Sequence, residues 1–380
     1  MLGRCKCARI VPVLSWLYAE LINSAYNSWV VYIRLPESVQ TLYAELLDQL
    51  RTADAETAVA GVKGTFVSKV IRGRTYWYAQ RSEGAVKRQI YLGPESPSLL
   101  VQIESTSTQR ALAGGDERRR RELVTMLEAG GMFRESAAIG VVLRVLSDAS
   151  VFRAGGVLVG TQAFTCIANM LGVAFEKESL RTADVDVAHD TSIPLGVSES
   201  PDVDMLARLR TQDPAFFEVP GIDSREPSTS FKVRGRDLRV DFLTPAGKHS
   251  RSTKPVYLRH LRVAAQPLRG LEYVIESSVD AAVIVGSGVH VNVPTPARFA
   301  FHKLWVSTER PASEAAKARR DIRQAEQLLD VLIDDRPGDV TSAWAALHSR
   351  RPLLRGAGSA LRKIAPSVRD RLTKTLKLAE

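Results

Sequence analysis

The chain has 380 residues, 45% of them hydrophobic and 25% charged, which excludes a disordered polypeptide and a fibrous protein. Its 52 lysines and arginines against 42 acidic residues give a formal net charge of +10, and three cysteines are too few for a disulfide scaffold. These figures predict two or three folded units in the reducing cytoplasm. A basic balance of this size fits both an enzyme and a protein that binds nucleic acid.

Residues 1–35 are predicted to be a leader of uncertain structure. Arg4, Lys6 and Arg9 precede an apolar run at residues 10–17, an arrangement similar to a signal peptide. Pro12 interrupts that run, and no cleavage motif of small residues follows at the right distance. We therefore expect a leader, or a start codon placed too early, rather than a secretion signal. No apolar run approaches the ~18–20 residues that span a bilayer, so the sequence predicts no membrane contact.

Residues 36–130 are predicted to form an N-terminal module of one helix and a small basic sheet. Apolar residues recur with helical spacing from Glu37 to Arg51. Two strands rich in β-branched and aromatic residues then surround an Arg-Gly-Arg turn at residues 72–74, and a third strand covers residues 87–92.

This sheet has two interpretations from the sequence. Its basic side chains could meet phosphates while its aromatic rings stack on bases. In the alternative, the aromatic side chains only cover a sheet that is too small to have a core of its own. Under the first interpretation, the residues that contact nucleic acid are Arg72, Arg74, Trp77, Lys87 and Arg88.

Residues 131–295 are predicted to hold an α/β core whose most informative segment begins at residue 155. A buried strand, Val157 to Val159, runs into the turn Gly160-Thr161, and a helix with an apolar inner side follows. Such a turn presents backbone N–H groups and a hydroxyl at a helix N-terminus, where a phosphate binds favourably. Further along, Gly286-Ser287-Gly288 is predicted to be the turn of a β-hairpin.

Three acidic residues on two short strands follow that turn. Asp184 and Asp186 are two positions apart, so in a strand their carboxylates point to the same face. Asp241 is the one acid in the apolar strand at residues 238–243. Paired carboxylates on an apolar strand are costly unless a cation neutralises them, and Mg²⁺ prefers hard oxygen ligands shared with phosphates. The three acids therefore predict a site for two metal ions that supports displacement at phosphorus.

Residues 296–380 are predicted to be a C-terminal helical domain with a basic tail. From residue 350 onward nine basic residues stand against two acids, and one apolar stripe runs through the same segment. We expect the stripe to dock on the core, with contact to RNA or to a partner as the alternative. The stripe consists of Leu361, Ile364, Val368, Leu372 and Leu376.

The order of these motifs, Gly-Thr, then Asp-x-Asp, then a lone Asp, resembles the catalytic pattern of the DNA polymerase β-like nucleotidyltransferase superfamily. Lys303, followed by Arg310 and by Asp321 on a later helix, resembles the C-terminal motif of the AbiEii/MenT toxin group in that superfamily. The run Arg-Phe-Ala-x-His-Lys-Leu at residues 298–304 and Tyr-Leu-Gly-Pro at residues 91–94 are most similar to a bacterial nucleotidyltransferase family related to that group. The resemblance covers roughly residues 36–340.

The resemblance implies an α+β fold with a mixed-sheet nucleotidyltransferase core, a small β-rich N-terminal module and a C-terminal helical domain. It implies that Gly160, Thr161, Arg181 and Lys303 contact the nucleotide. Asp184, Asp186 and Asp241 would bind two Mg²⁺ ions, and Asp241 would also activate the acceptor.

The implied reaction moves a nucleoside monophosphate from an NTP to an acceptor hydroxyl and releases pyrophosphate. The acceptor is expected to be nucleic acid, the tRNA 3′ end by analogy with the toxins, and a small antitoxin is a possible partner. Transfer to a protein or a small molecule stays open. The rival hypothesis is a non-catalytic nucleic-acid-binding protein built on a retired transferase fold.

Overall fold

The computed structural model describes residues 32–60, 65–71, 74–83, 86–175, 182–190, 204–221, 226–247 and 254–377. In this part of the chain no helix is both long enough and apolar enough to cross a membrane. The strands are β1 (Tyr32–Arg34), β2 (Thr65–Ile71), β3 (Arg74–Glu83), β4 (Val86–Pro94), β5 (Val157–Val159), β6 (Val173–Phe175), β7 (Asp184–Ala188), β8 (Phe216–Glu218), β9 (Ser230–Val233), β10 (Arg239–Pro245), β11 (Val256–Leu258), β12 (Val263–Leu268), β13 (Ser278–Val283) and β14 (Val289–Pro294).

The helices fall into two groups, one before β5 and a longer one after β14, with short helices between them. They are α1 (Glu37–Ala60), α2 (Pro97–Ala129), α3 (Ala137–Asp148), α4 (Gly160–Met170), α5 (Met205–Gln212), α6 (Leu271–Ile275), α7 (Pro296–Glu309), α8 (Ala315–Asp335), α9 (Pro337–Leu347), α10 (Arg351–Ala360) and α11 (Pro366–Lys377).

The N-terminal module contains the predicted helix and the predicted three-stranded sheet. Strands β2, β3 and β4 pair antiparallel in that order, and α1 continues well beyond the predicted Arg51. Helices α1 and α2 pack together through Leu46 and Leu127, both fully buried. Strand β1, inside the predicted leader, pairs antiparallel with β6 and so joins the start of the described chain to the core.

The central sheet is mixed and runs in the order β11-β12-β10-β7-β5. Strand β10 lies parallel to both β7 and β12, while β5 runs antiparallel to β7. Strand β9 pairs antiparallel with the first half of β10, and β8 pairs with β9. The β13–β14 hairpin forms its own two-stranded sheet, and its turn lies at residues 284–288, as predicted.

One hydrophobic cluster extends from α3 through the central sheet into α11. Of the predicted apolar stripe in the tail, Ile364, Val368 and Leu372 are buried, and the other two residues pack against the cluster half-buried. The prediction that the tail docks on the core is therefore confirmed. The α+β architecture with a mixed sheet and a helical C-terminus is also confirmed. The division at residues 35, 130 and 295 stays a prediction.

Candidate active site

The three acidic residues lie on neighbouring parallel strands. Asp186 in β7 is the direct partner of Asp241 in β10, and Asp184 is the partner of Arg239. Because alternate residues of a strand share a face, Asp184, Asp186 and Asp241 project from the same side of the sheet. Along β10 the alternation is regular, with Val240 and Phe242 buried on the opposite side. The structure thus places the three acids together, as the sequence predicted.

The turn Gly160-Thr161 lies directly beside Asp186. Strand β5 pairs with β7 so that Val159 is opposite Asp186, and α4 begins at the next residue. Gly160 has a φ of +69°, and a Cβ added there would lie 2.2 Å from Oδ2 of Asp186. Only glycine therefore allows the helix N-terminus to approach the carboxylate this closely. The partial positive charge of that N-terminus, with the buried Thr161 in its first turn, faces the acids.

Asp241 is held by two residues that the sequence analysis did not assign to the site. Ser230, opposite Asp241 on β9, donates its hydroxyl hydrogen to Oδ1 of Asp241. The Nε of Arg239 donates to the same oxygen at 2.8 Å, and its Nη2 donates to the Ser230 hydroxyl at 2.8 Å. Arg239 could have been found from the sequence because it is two positions before Asp241 on the same strand face. Ser230 could not, since its place depends on strand pairing.

Asp186 is the electrostatically strained member of the group. Burial raises the pKa of its carboxyl to about 7, and the negative charges of Asp241 and Asp184 act in the same direction. The positive charges of Lys303 and Arg239 oppose this rise but do not cancel it. The site is therefore short of positive charge at neutral pH, which favours a bound cation.

Lys303 forms a buried ion pair with Asp321. Its Nζ lies 2.8 Å from Oδ1 of Asp321, and their side chains are only 10% and 3% exposed. Arg310 donates to the other oxygen of Asp321, and the ring of Phe299 lies 5.3 Å from the ammonium. The two cations hold the pKa of Asp321 below its usual range against the effect of burial. Lys303 thus lies close enough for its charge to act on Asp186, but a carboxylate already partners it.

The carboxylates fit a hard metal ion by chemistry, although they do not form a ready-made cage. Within the described residues, no three His, Cys, Asp or Glu side chains are grouped closely enough to hold a metal ion. Asp241 faces Ser230 and Arg239, and Asp184 is exposed. The donor set consists of carboxylate oxygens only, which suits a hard divalent cation such as Mg²⁺. By their chemistry these residues fit a magnesium site in which Asp184, Asp186 and Asp241 would be the ligands.

The pKa of Asp186 predicts how the stability of the metal-free protein depends on pH. Because the folded-state pKa is raised, the folded protein binds the proton more tightly than the unfolded chain, and stability falls as pH rises from about 4 towards 8. Asp186→Asn should remove this loss and raise Tm at pH 8 in chelator by roughly 2–4 °C, with a smaller effect at pH 5. Thermal unfolding at both pH values measures it. An equal rise in Tm at pH 5 and at pH 8 would contradict the raised pKa of Asp186.

The other predicted contact residues are less fully described. Arg181 and Arg72 lie outside the described residues, and the side chains of Arg74, Lys87 and Arg88 on β3 and β4 are not among those described. Trp77 is half-buried, and its indole Nε1 donates to Glu95 at 3.0 Å. The N–H of this ring is thus used within the module.

A family model described as nucleotidyltransferase matches residues 137–349, more than half of the chain, and this span includes the three acids, Lys303 and Asp321. No curated protein matches the chain significantly. The strand that leads into Gly160, the acids on β7 and β10 and the helix that carries Lys303 all lie within the matched span, and the chain belongs to this nucleotidyltransferase family.

Proposed function

We propose that the protein transfers a nucleoside monophosphate from an NTP to an acceptor hydroxyl and releases pyrophosphate. One observation carries the proposal: Asp184, Asp186 and Asp241 project from adjacent strands beside a helix N-terminus that begins with Gly160. Carboxylates next to the backbone N–H groups of a helix N-terminus can serve both the metal side and the phosphate side of a nucleotide. Membership of the nucleotidyltransferase family supports the same reaction class.

Each residue has a role in this proposal. Asp184, Asp186 and Asp241 would hold Mg²⁺, and Gly160 and Thr161 would contact the nucleotide phosphates through backbone N–H groups and a hydroxyl. Two bound Mg²⁺ ions would neutralise charge on the transferring phosphoryl group and on the leaving group. Asp241 would also accept the proton of the acceptor hydroxyl. Its present partners, Ser230 and Arg239, keep the carboxylate oriented along the strand face.

Lys303 and Asp321 support the proposed relation to the AbiEii/MenT group. The Lys303 ammonium, fixed between Asp321 and the ring of Phe299, would lie at the triphosphate side of the site. Arg310 shares Asp321, so a second positive charge stays on that carboxylate if Lys303 turns towards the nucleotide. Arg181 would add a further nucleotide contact.

A nucleic-acid acceptor is supported by the outer surface of the tail. Its apolar side is buried, while basic residues of α10, α11 and the turn between them are exposed. None of the six exposed residues has a carboxylate partner in the part of the chain that the structure describes. They are Arg351, Arg355, Arg362, Lys363, Lys374 and Lys377. Unpaired charges of this kind are suited to a phosphate backbone, and the tRNA 3′ end is the acceptor that we favour.

Replacing Arg72, Arg74, Lys87 and Arg88 with alanine should weaken RNA binding and flatten its dependence on salt. Each phosphate contact releases counterions, so losing contacts lowers the slope of log K against log salt. Trp77→Ala should cost a further ~1–3 kcal/mol if a base stacks there, with little change of slope. Gel shifts across a salt series measure both effects. If Trp77→Ala lowers Tm, through loss of its hydrogen bond to Glu95, and leaves RNA affinity unchanged, the ring packs on the protein and does not stack on a base.

The proposed reaction is tested by incubating the protein with each radiolabelled NTP, Mg²⁺ and total RNA. We expect label in the RNA fraction, in the region of tRNA, with release of pyrophosphate and no transfer in chelator. Label on a protein or a small molecule would instead show that the acceptor is not nucleic acid. RNA binding with no transfer from any NTP would favour the retired, non-catalytic alternative.

A further inference from the structure

A polar cavity of about 150 Å³ lies where the N-terminal helices meet the core. It is bounded by the C-terminal half of α3, by the tip of the β13–β14 hairpin and by residues of α1 and α2. Arg153, which precedes β5, also lines it, whereas Gly160 follows β5. The cavity is therefore at the opposite end of that strand from the acids and is separate from the candidate active site.

Three arginines converge on this cavity, and they differ in their partners. Arg153 is neutralised, because its Nη1 lies 2.8 Å from the carboxylate of Asp54. Among the described residues, Arg144 hydrogen-bonds the hydroxyl of Ser287, at 3.4 Å from each terminal nitrogen, and Arg120 has a buried Nε with no hydrogen-bond partner. Neither guanidinium forms an ion pair with any carboxylate among the described residues.

The remaining lining makes the cavity suitable for a small anion. The buried hydroxyl of Ser287 at the hairpin tip can donate a hydrogen bond, and the ring of His290 lies between Asp54 and Asp280. Asp148 also lines the cavity, so two acids stand there against three arginines. Asp54 is paired with Arg153, and Arg120 and Arg144 are the cavity's arginines that have no carboxylate partner among the described residues.

We propose that this cavity is a binding site for a phosphate group. Planar guanidinium groups match tetrahedral oxyanions with paired N–H donors, and Arg120, Arg144 and Ser287 supply such donors from three different elements. The volume gives room for a phosphate but is well below the ~300–1,000 Å³ of pockets for larger ligands. The phosphate comes either from solution or from the backbone of a bound nucleic acid.

The site is tested by calorimetric titration of the full chain with inorganic phosphate, against chloride at equal ionic strength. The double variant Arg120→Gln with Arg144→Gln should bind phosphate roughly tenfold more weakly or worse, because it loses both charged donors. Arg121→Gln is the matched control, since this neighbouring arginine is exposed and pairs with Glu117. Arg144→Lys keeps the charge but loses the planar guanidinium with its paired N–H donors. Its affinity for phosphate should therefore lie between those of wild type and the double variant.

The source of the phosphate is distinguished by anisotropy of a labelled RNA on the same proteins. If RNA supplies it, phosphate competes with RNA on wild type, and the double variant weakens RNA binding. If free phosphate is the ligand, RNA binding is the same in both proteins while phosphate binding differs. The proposal is overturned if wild type binds no phosphate beyond the chloride reference, or if Arg121→Gln loses as much affinity as the double variant. The wild-type titration alone tests whether the protein binds phosphate, so the proposal can be overturned even if a variant fails to fold.

Discussion

Asp186→Asn should lower the rate of nucleotidyl transfer by about 10³-fold or more while the protein stays folded. Asp186 lies between Asp241, its partner on β10, and the N-terminus of α4, so its carboxylate is central to any bound cation. Losing a charged ligand removes several kcal/mol of transition-state stabilisation, and each 1.36 kcal/mol corresponds to about a tenfold rate. Single-turnover assays with saturating NTP and Mg²⁺ measure the effect.

The control for this experiment is a second Asp-x-Asp sequence in the same chain, at residues 202–204. Asp204 caps α5 by accepting the N–H of Ala207, a role that asparagine fills equally well. Asp204→Asn should therefore leave the rate unchanged, whereas Asp184→Asn should reduce it in the same way as the Asp186 variant. A rate near wild type in Asp184→Asn or in Asp186→Asn would contradict the proposed metal site.

Lys303→Ala should have the second largest effect, acting on both nucleotide binding and stability. The lysine is buried against Asp321, and breaking a buried pair leaves a charge without compensation, which costs ~3–5 kcal/mol when no other partner is present. Arg310 still contacts Asp321, so we expect a loss of about 1–3 kcal/mol instead. The KM for NTP should rise as well, because a positive charge near the phosphates is lost.

Stability and binding are separated by measuring NTP affinity per folded molecule beside urea unfolding. Lys317→Ala is the control, since this lysine is exposed and, among the described residues, pairs with Glu314, and it should change stability by less than ~0.5 kcal/mol. Lys303→Arg should recover part of the affinity, because it restores the charge with a larger, planar head group. If Lys303→Ala loses stability but keeps full NTP affinity, the lysine serves the fold alone.

The acids could be placed from the sequence because each lies on a short apolar strand with a clear alternation. Asp184 and Asp186 share a face by spacing alone, and the chain length between motifs fits a return to the same sheet. The exact pairing of Asp186 with Asp241 and the contact of Ser230 depend on strand register, which spacing does not fix. The roles assigned to these residues stay predictions.

Other features could not be predicted from the sequence because they depend on contacts between segments that are distant in the chain. Strand β1 has three residues and no internal pattern, and it exists because it pairs with β6, more than 130 positions away. The ion pair of Lys303 with Asp321 joins two helices whose packing is set by their apolar sides. The cavity at Arg144 combines four separate segments, so no single stretch of sequence carries its signal.

Helix α10 lies beyond the residues that define the family, yet it packs tightly on the helix that carries Lys303. A Cβ at Gly356 would lie 2.6 Å from the ring of Trp305, so the two helices approach each other at a residue without a side chain. Trp305 is two positions from Lys303 on α7. A protein shortened at residue 349 would expose this ring and lose the packing of α10 on the helix that carries Lys303. The packed unit that holds the helix of Lys303 therefore extends past residue 349, where the family match ends.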